Sequence, residues 1–567
     1  MVSKSIYEEL SEERKELQEI GKLPGWFTTP AWQLLKEKYT TDECPDLYSI
    51  YKRISSTAAK HMGSEKEHYE RVFFNLLWRG WLACSTPVLA NMGTLRGCPV
   101  SCSGNIIGDS VYDFYDAQKE IAILTKNGFG TSSYLGGIRE RGKPISAGGT
   151  ASGILPVLKD FIQLSRDVSQ GNTRRGAWAG YVEIEHGDFW EIITYLQNNP
   201  DDFNLGWIIS DEFIAKLNGG DGEALERYQR TLKVKMLTGK GYYFFVDRVN
   251  AQNPQLYKDQ NLYCTASQLC TEITLHSDEF HTYTCILSSA NLATYDEWKD
   301  TDAIQNMIIF LDCVTEEFIR VGRGIKGLEK AVRFTEKSRA LGLGTLGYHT
   351  YLQSHMIEFE GFAAHQINKE IFSYMRKEAD KATRKLAKLK GEPEWCKGYG
   401  VRNTHLLAIA PNTSSALVCG SVSQGIEPVY KNAFVQGSAG GEINRINPEL
   451  IKLLKSKEIY NDDIINTIIN DGGSVRNIMA LSDTERAVFK TAFEIDQASI
   501  IRLASARQRY ICQAQSINLF FAADESEEVI SQVHKLAFND KWIKSLYYIR
   551  SEAGVVGSTG ECVACEG

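Results

Sequence analysis

The chain reads as an α/β protein with largely parallel strands, and two features say so. Short apolar runs recur along it: Tyr181-Val-Glu-Ile184, Leu232-Lys-Val-Lys-Met236, Tyr242-Tyr-Phe-Phe-Val246, Leu406-Leu-Ala-Ile-Ala410 and Ser516-Ile-Asn-Leu-Phe-Phe521. Between them lie longer stretches with a helical stripe, at 111–126, 154–168, 302–320, 363–390 and 525–546. Strands separated by crossovers of helix length pack as parallel neighbours.

Taken in order, residues 1–84 are charged and helical in pattern, with breaks at Gly25 and Thr28-Thr-Pro30 and no glycine-rich phosphate loop. They are expected to form a helical N-terminal region. At Cys84-Ser-Thr86-Pro87 the texture changes, and Gly97-Cys98-Pro-Val-Ser-Cys102-Ser-Gly104 follows. A C-x3-C pair could supply half a zinc site, but no second close pair of cysteines or histidines accompanies it, and no metal is expected there. Asp109-Ser110 starts the helix of 111–126, and Asn127-Gly128 stops it. The loop 128–142 carries Arg139 and Arg141. The helix of 154–168, with Leu155, Leu158 and Ile162 on one side, leads into Ser169-Gln170-Gly171-Asn172-Thr173-Arg174-Arg175-Gly176. Gly-rich backbone with guanidinium groups suits recognition of a phosphate or base, although such loops are more often plain turns. Pro411-Asn412-Thr413-Ser414-Ser415 follows an apolar strand, as an N-cap cluster or an anion site would. The last helix of 525–546 is expected to end on Tyr547 and Tyr548, before a Gly- and Ser-containing tail at 551–567.

Composition narrows the class. A chain of 567 residues, 43% hydrophobic and 24% charged, is that of a globular protein with room for a large core. No window approaches the roughly 18 apolar residues of a membrane span, and the N-terminus lacks a signal-peptide core, so a cytoplasmic location is expected. A net charge of −8 argues against a nucleic-acid surface. Thirteen irregularly spaced cysteines do not make a disulfide scaffold. Cys102, Cys270, Cys285, Cys562 and Cys565 read as chemistry or metal binding, whereas Cys44, Cys84, Cys313, Cys396 and Cys512 read as core filler.

The stretch Ser267-Gln268-Leu-Cys270-Thr-Glu272 stands out. If extended, it puts a thiol and a carboxylate on one face, two residues apart. That pair suits removal of a hydrogen atom from carbon while a proton leaves the neighbouring hydroxyl. A buried cysteine beside a solvated glutamate is the bland alternative.

From about Ser85 onward the chain resembles the catalytic (large, alpha) subunit of class I ribonucleotide reductase, through several motifs in that family's order. Thr86 lies sixteen residues ahead of Cys102. Ser169-Gln-Gly-x-x-Arg174 is similar to the second specificity loop, and Gln268-Leu-Cys-Thr-Glu272 to the radical-cysteine stretch. Cys285-Ile-Leu-Ser-Ser-Ala-Asn-Leu292 is similar to the companion cysteine, and Pro411 to Ser415 with Gly425-Ile-Glu-Pro428 to the substrate-phosphate loop. Leu546-Tyr-Tyr548 and Cys562-Val-Ala-Cys565 complete the set.

The resemblance implies a ten-stranded α/β barrel of two half-barrels over residues 85–550. It implies Cys270 as the thiyl radical, Glu272 as base, Gln268 beside them, and Cys102 with Cys285 as the dithiol oxidised at each turnover. Tyr547 and Tyr548 would relay the radical, and Cys562 and Cys565 on the tail would reduce the disulfide by exchange. A ribonucleoside diphosphate would bind Thr86, Ser101, Pro411, Asn412, Thr413, Ser414 and Ser415. A nucleoside triphosphate effector with Mg2+ would bind Asp109, Ser110, Arg139, Ser169, Gln170 and Arg174. The implied partners are a small radical-generating (beta) subunit holding the radical metallocofactor, thioredoxin or glutaredoxin, and a second copy of the chain docked through the helices of 111–126 and 154–168. No cofactor is expected to be covalently bound.

Two departures from the family pattern matter. Gln268 stands where the family usually has Asn, so its longer amide must fold back to reach Glu272 and the substrate; retained activity is expected. No counterpart of the N-terminal ATP cone is found, so on/off control at a cone is not expected. Two other readings remain at this point: an adenosylcobalamin-dependent reductase, which needs no tyrosine pair, and a non-catalytic thiol-rich nucleotide- or zinc-binding relative. The absence of an Arg-x-x-Gly-Tyr signature near the C-terminus sets aside the glycyl-radical relatives.

Overall fold

The strands of the sheet bury polar side chains such as Ser132, Tyr181 and Tyr283 among the aliphatic ones, and that composition follows from what the sheet encloses. The computed structural model describes residues 6–170, 176–202, 204–438 and 441–551. Its strands are β1 (Leu82–Cys84), β2 (Cys102–Ile106), β3 (Gly130–Tyr134), β4 (Trp178–Glu183), β5 (Asn204–Ile209), β6 (Tyr242–Phe245), β7 (Tyr283–Asn291) and β8 (Leu341–Leu346). They continue with β9 (Ala433–Ser438), β10 (Gly441–Ile446), β11 (Leu519–Phe521), β12 (Ser545–Leu546) and β13 (Ile549–Ser551).

Strands β2 to β6 form one half-barrel, each parallel to the next. The other half starts with β7 and β8, also parallel. Leu341 N and Leu343 N then donate to His405 O and Leu406 O at 3.0 and 2.8 Å. Ile409 N donates to Ala514 O at 3.1 Å, and Ser516 N returns to Ile409 O at 2.9 Å. Strand β11 runs parallel to β13. The second half is therefore β7, β8, 405–409, 513–521 and 545–551. The halves join antiparallel at two seams, β2 on β7 and β6 on β12. The result is a closed ten-stranded α/β barrel, with β1 extending one seam along β7 and β9–β10 a separate hairpin.

Helices cover the outside. Ser110 caps Val111–Lys126 by accepting from Asp113 N, Asp221 caps Gly222–Thr238, and Ser526 caps Glu527–Asn539; each oxygen satisfies an otherwise open N–H of the first turn. The helix Phe362–Lys390 stops at Gly391, whose φ of 83° most side chains would resist. Helices Ile6–Glu19, Thr29–Lys38, Leu47–Ala59 and Lys66–Trp78 precede the barrel, the last packing Phe73 edge-on against Phe310 of the helix Ala303–Gly322.

Two expected elements come out differently. Leu232–Met236 lies inside the helix Gly222–Thr238, not in a strand. The alternation Leu-Lys-Val-Lys-Met misled because the helix buries Arg227 and Lys235 along with its apolar residues, which blurs the 3.6 period. The last helix ends at Asn539, and Tyr547 and Tyr548 follow β12 as part of the barrel wall.

Inside the wall, residues 266–275 are all buried yet belong to no strand or helix. Another buried point ties the second half together. Asp312 accepts from Arg339 Nε at 2.9 Å, Arg402 Nε at 3.0 Å and Asn403 Nδ2 at 3.1 Å. Burial alone would push its carboxyl up, but the two guanidinium groups outweigh that and hold it well below the usual carboxylate range. Replacing Asp312 by Ala leaves Arg339 and Arg402 with the partly exposed Glu316 as their one remaining carboxylate partner among the described residues, and urea unfolding of the full chain is expected to show a loss of about 3–5 kcal/mol.

Candidate active site

Antiparallel pairing at the β2–β7 seam sets Cys102 directly opposite Cys285. Opposed residues in such a ladder have Cα atoms about 4.5–5.5 Å apart and side chains on one face. That separation lies within the span a disulfide bridges. Both cysteines are in the reduced, unbridged form here. Burial pushes the Cys285 thiol up, opposed by the Gln513 amide, whose Nε2 lies 3.4 Å from Cys285 Sγ. A Cβ on Gly342 of β8 would meet that sulfur at 3.0 Å, so the neighbouring strand leaves the thiol room by having no side chain.

Cys270 sits on the buried loop, but not on an extended run. Thr271 N donates to Gln268 O at 3.2 Å, and Thr271 has a φ of 70°. Cys270 and Glu272 are thus brought close by a tight turn, not by strand alternation. Sequence alternation could not foresee a β-branched residue in the left-handed region, which is normally disfavoured. Ser516 Oγ lies 2.5 Å from Cys270 O and 2.9 Å from Glu272 Oε2, clamping the turn from the barrel wall.

Burial pushes the Glu272 carboxyl up to about 7, against the opposing pull of the Gln268 amide and the Ser516 hydroxyl. A carboxylate poised there can take a proton and release it. Gln268 Nε2 also reaches Cys102 Sγ at 3.6 Å. The amide of the longer side chain therefore lies between the Cys102 thiol and the Glu272 carboxylate.

The tyrosines complete the line of contacts. Tyr547 OH lies 3.6 Å from Cys270 Sγ, and the Tyr547 and Tyr548 rings are 4.0 Å apart between centroids. A third ring joins them: Tyr242 OH donates to Tyr548 OH at 3.0 Å, and its ring is 4.7 Å from that of Tyr547. Lys235, fully buried, donates to Gly241 O and Tyr547 O, and burial lowers its ammonium to about 7.

Most of the substrate-phosphate candidates are tied together by hydrogen bonds from the 412–415 segment to β8 and to the end of β1. The strand at 405–409 leads to Pro411 and Asn412, with φ 62° at Asn412, and the short helix Thr413–Val418 follows. Asn412 Nδ2 donates to Thr345 O at 3.0 Å, and Thr413 Oγ1 to Gln424 Oε1 at 3.3 Å. Ser415 Oγ donates to Cys84 O at 3.1 Å, two residues before Thr86, whose hydroxyl meets Tyr39 OH at 3.0 Å. Ser414 is buried beside them. Ser101 is buried at the entry to β2, and its carbonyl accepts from Gly130 N.

The effector candidates are not all brought together. Arg139 Nε lies 2.5 Å from Asp109 Oδ2, and Arg139 N donates to Asp109 Oδ1, next to the Ser110 cap. Gln170, with Ser169 before it, sits at the opposite end of β3: its Nε2 donates to Asn91 Oδ1 and Arg96 O, and its Oε1 faces Gly128. Arg174, Cys562 and Cys565 lie outside the described residues. Sequence reasoning missed Gln513, Ser516 and Tyr242. The polar run Gln513-Ala-Gln515-Ser516 ahead of an apolar strand was the signal for the first two.

A closed α/β barrel with one thiol on an internal loop and a dithiol across its seam defines the class of barrel oxidoreductases. Comparison with known proteins sharpens this. Residues 100–225, 222–398 and 393–549 match the family described as "Ribonucleotide reductase, barrel domain". A Frog virus 3 (isolate Goorha) protein named "Putative ribonucleoside-diphosphate reductase large subunit" is 34% identical, over 95% of this chain and 98% of its own. The ribonucleoside-diphosphate reductase large subunit of Invertebrate iridescent virus 3 is 29% identical over 92% of this chain and 93% of its own. The solved class Id ribonucleotide reductase alpha subunit of Actinobacillus ureae superimposes with a TM-score of 0.86 at 37% identity, covering 93% of this chain and 97% of that one. The chain belongs to the ribonucleotide reductase large-subunit family.

The seam geometry makes its own prediction. Mild oxidation of the full chain with diamide should give a Cys102–Cys285 cross-linked peptide by mass spectrometry, absent in Cys285→Ser. Cross-links from Cys102 to other cysteines instead would contradict the register.

Proposed function

We propose that the chain is the catalytic subunit of a class I ribonucleoside-diphosphate reductase, replacing the 2′-hydroxyl of ribonucleoside diphosphates by hydrogen. A separate small subunit would supply the oxidising equivalent from its radical metallocofactor. The contact of Tyr547 OH with Cys270 Sγ, backed by Tyr548, carries this reading. An adenosylcobalamin enzyme, which makes its radical beside the substrate, has no use for such a line.

In this reading Tyr548 and Tyr547 pass the oxidising equivalent to Cys270, whose thiyl takes the 3′ hydrogen of the ribose. Glu272 takes the 3′-OH proton, and Gln268 holds the hydroxyl. One of Cys102 and Cys285 protonates the departing 2′-hydroxyl, which leaves as water. The two thiols supply the electrons and end as a disulfide, and Cys270 returns its hydrogen to the 3′ carbon. Cys562 and Cys565 would reopen the disulfide by exchange and be reduced in turn by thioredoxin or glutaredoxin. Thr86, Ser101 and Pro411 to Ser415 would hold the diphosphate. A triphosphate effector with Mg2+ would sit at Asp109, Ser110 and Arg139, with Ser169, Gln170 and Arg174 carrying its signal towards the substrate mouth.

We further propose that the chain divides into a helical region (1–84), the barrel with its specificity loops (85–550) and a redox tail (551–567), and that it works as a homodimer in the cytoplasm. Tyr112 and Tyr115, exposed on the helix Val111–Lys126, suit the dimer contact. No described helix is long and apolar enough to cross a membrane.

The decisive assay is CDP reduction with a metal-loaded small subunit, and separately with adenosylcobalamin. Activity is expected only with the former and should vanish in Tyr548→Phe; turnover with adenosylcobalamin alone, or a fully active Tyr548→Phe, refutes the assignment. The carboxyl near 7 gives a second expectation. Because the base must be ionised, kcat/KM should fall about tenfold per pH unit below 7, and Glu272→Gln should lower kcat by ~10²–10⁴-fold. An unchanged pH limb in that variant removes Glu272 from the role.

A further inference from the structure

Where the internal loop leaves the barrel to become β7, it gathers two imidazoles and a carboxylate that the proposed reaction does not use. His276 Nε2 lies 3.0 Å from Asp278 Oδ2, and His281 Nδ1 lies 2.9 and 3.1 Å from Asp278 Oδ1 and Oδ2. One ligand atom from each residue falls within 4.8 Å of the other two. The sequence reading passed over this His-x-Asp-x2-His run because it looked for a close cysteine or histidine pair only beside Cys98 and Cys102.

Proton counting shows that the cluster is short of a cation. His276 Nδ1 lies 2.7 Å from Tyr263 O. A carbonyl only accepts, so the ring proton is on Nδ1. In a neutral imidazole the lone pair is then on Nε2, aimed at Asp278 Oδ2, which also only accepts. The backbone N–H groups of Phe280 and His281 are both spent on Oδ1, at 2.8 Å each. Only a second proton on His276 or a metal ion between Nε2 and Oδ2 closes that contact.

The surroundings favour the metal ion. His281 Nδ1 donates to Asp278, but its Nε2 has no hydrogen-bond partner although the residue is only 8% exposed, so the ring proton can move to Nε2 and free Nδ1 as a ligand. Ligand separations of 3.0 and 3.1 Å approach the roughly 3.3 Å edge of a tetrahedron built on bonds of about 2.0 Å. The Trp395 ring packs against both imidazoles, with centroids 5.9 and 5.2 Å away, and shields them. Arg333 Nη1 donates to Phe280 O and supports the turn. Lys337, beside His281, is itself paired with Glu394 at 2.9 Å. The Asp278 side chain is 36% exposed, which leaves one side open to water.

We propose that the exit of the internal loop is a binding site for a divalent transition metal of the zinc class. Its ligands are His276 Nε2, Asp278 Oδ2 and His281 Nδ1, with water in the fourth position. The ion would replace a proton in the His276–Asp278 contact and fasten the chain just before the strand that carries Cys285.

The test uses the full chain carrying Cys562→Ser and Cys565→Ser, so that the tail thiols do not compete. Zn2+ is titrated against a chromophoric chelator, and Co2+ is followed by absorption. The expected result is one equivalent bound, cobalt bands without a thiolate charge-transfer feature, and at least ~10²-fold weaker binding in His276→Ala and Asp278→Asn. His281→Gln, which keeps the side-chain bulk, should weaken binding equally while circular dichroism stays unchanged. No uptake, a thiolate band, or equal affinity in the variants overturns the proposal. So does a His276 ring that titrates by NMR identically with and without zinc.

Discussion

A backbone of ten consecutive buried residues without a ladder or helix is the constraint on which the rest of this structure depends. Each amide left without a partner in such a place would cost about 1–3 kcal/mol. The loop at 266–275 therefore borrows its partners from the wall. Ser132 of β3 donates to Ser267 O at 2.9 Å and Tyr181 of β4 to Gln268 O at 2.6 Å. Ser516 reaches Cys270 O, and Ala514 N donates to Glu272 O at 2.9 Å. Gln513 Oε1 accepts from Thr274 N at 3.1 Å, and Ser267 Oγ crosses the loop to Ile273 O. The inward hydroxyls that spoil the hydrophobic pattern of the strands are the loop's hydrogen-bond partners.

The same arrangement couples the reactive groups. Gln513 touches both the loop, through Thr274, and the thiol of Cys285. Gln268 spans the gap from the turn to Cys102. Ser516 joins the Cys270 carbonyl to the Glu272 carboxyl; when Glu272 is protonated it can donate to Ser516, which then donates to the carbonyl. The polar contacts that hold the backbone in place thus also set the separation and proton affinity of the side chains. In a barrel filled only by aliphatic side chains, neither would be fixed.

Much of this was legible in the sequence, and the failures have physical reasons. The helices Val111–Lys126 and Phe362–Lys390 show themselves by period and by their stops, because their faces meet water on one side and core on the other. The opposition of Cys102 and Cys285 followed from the family's order of motifs, and the strand register places them so. The turn at Thr271 was hidden because no residue there advertises a left-handed backbone. The helix Gly222–Thr238 was disguised by a buried lysine. Tyr242 escaped notice because its partners, Tyr547 and Tyr548, lie some three hundred residues away along the chain. Long-range pairing of that kind is set by how the barrel closes, and local pattern carries no trace of it.

Closure of the barrel at β12 has one last consequence. That seam rests on two register pairs, Ser545 with Phe244 and Leu546 with Tyr243, against three at the other. Tyr547, which touches Cys270, and Tyr548, packed beside it, come immediately after that seam. Hoop and tyrosine pair share one short weld: whatever springs the hoop there also parts Tyr547 from Cys270, and a chain whose hoop has not yet shut cannot make that contact.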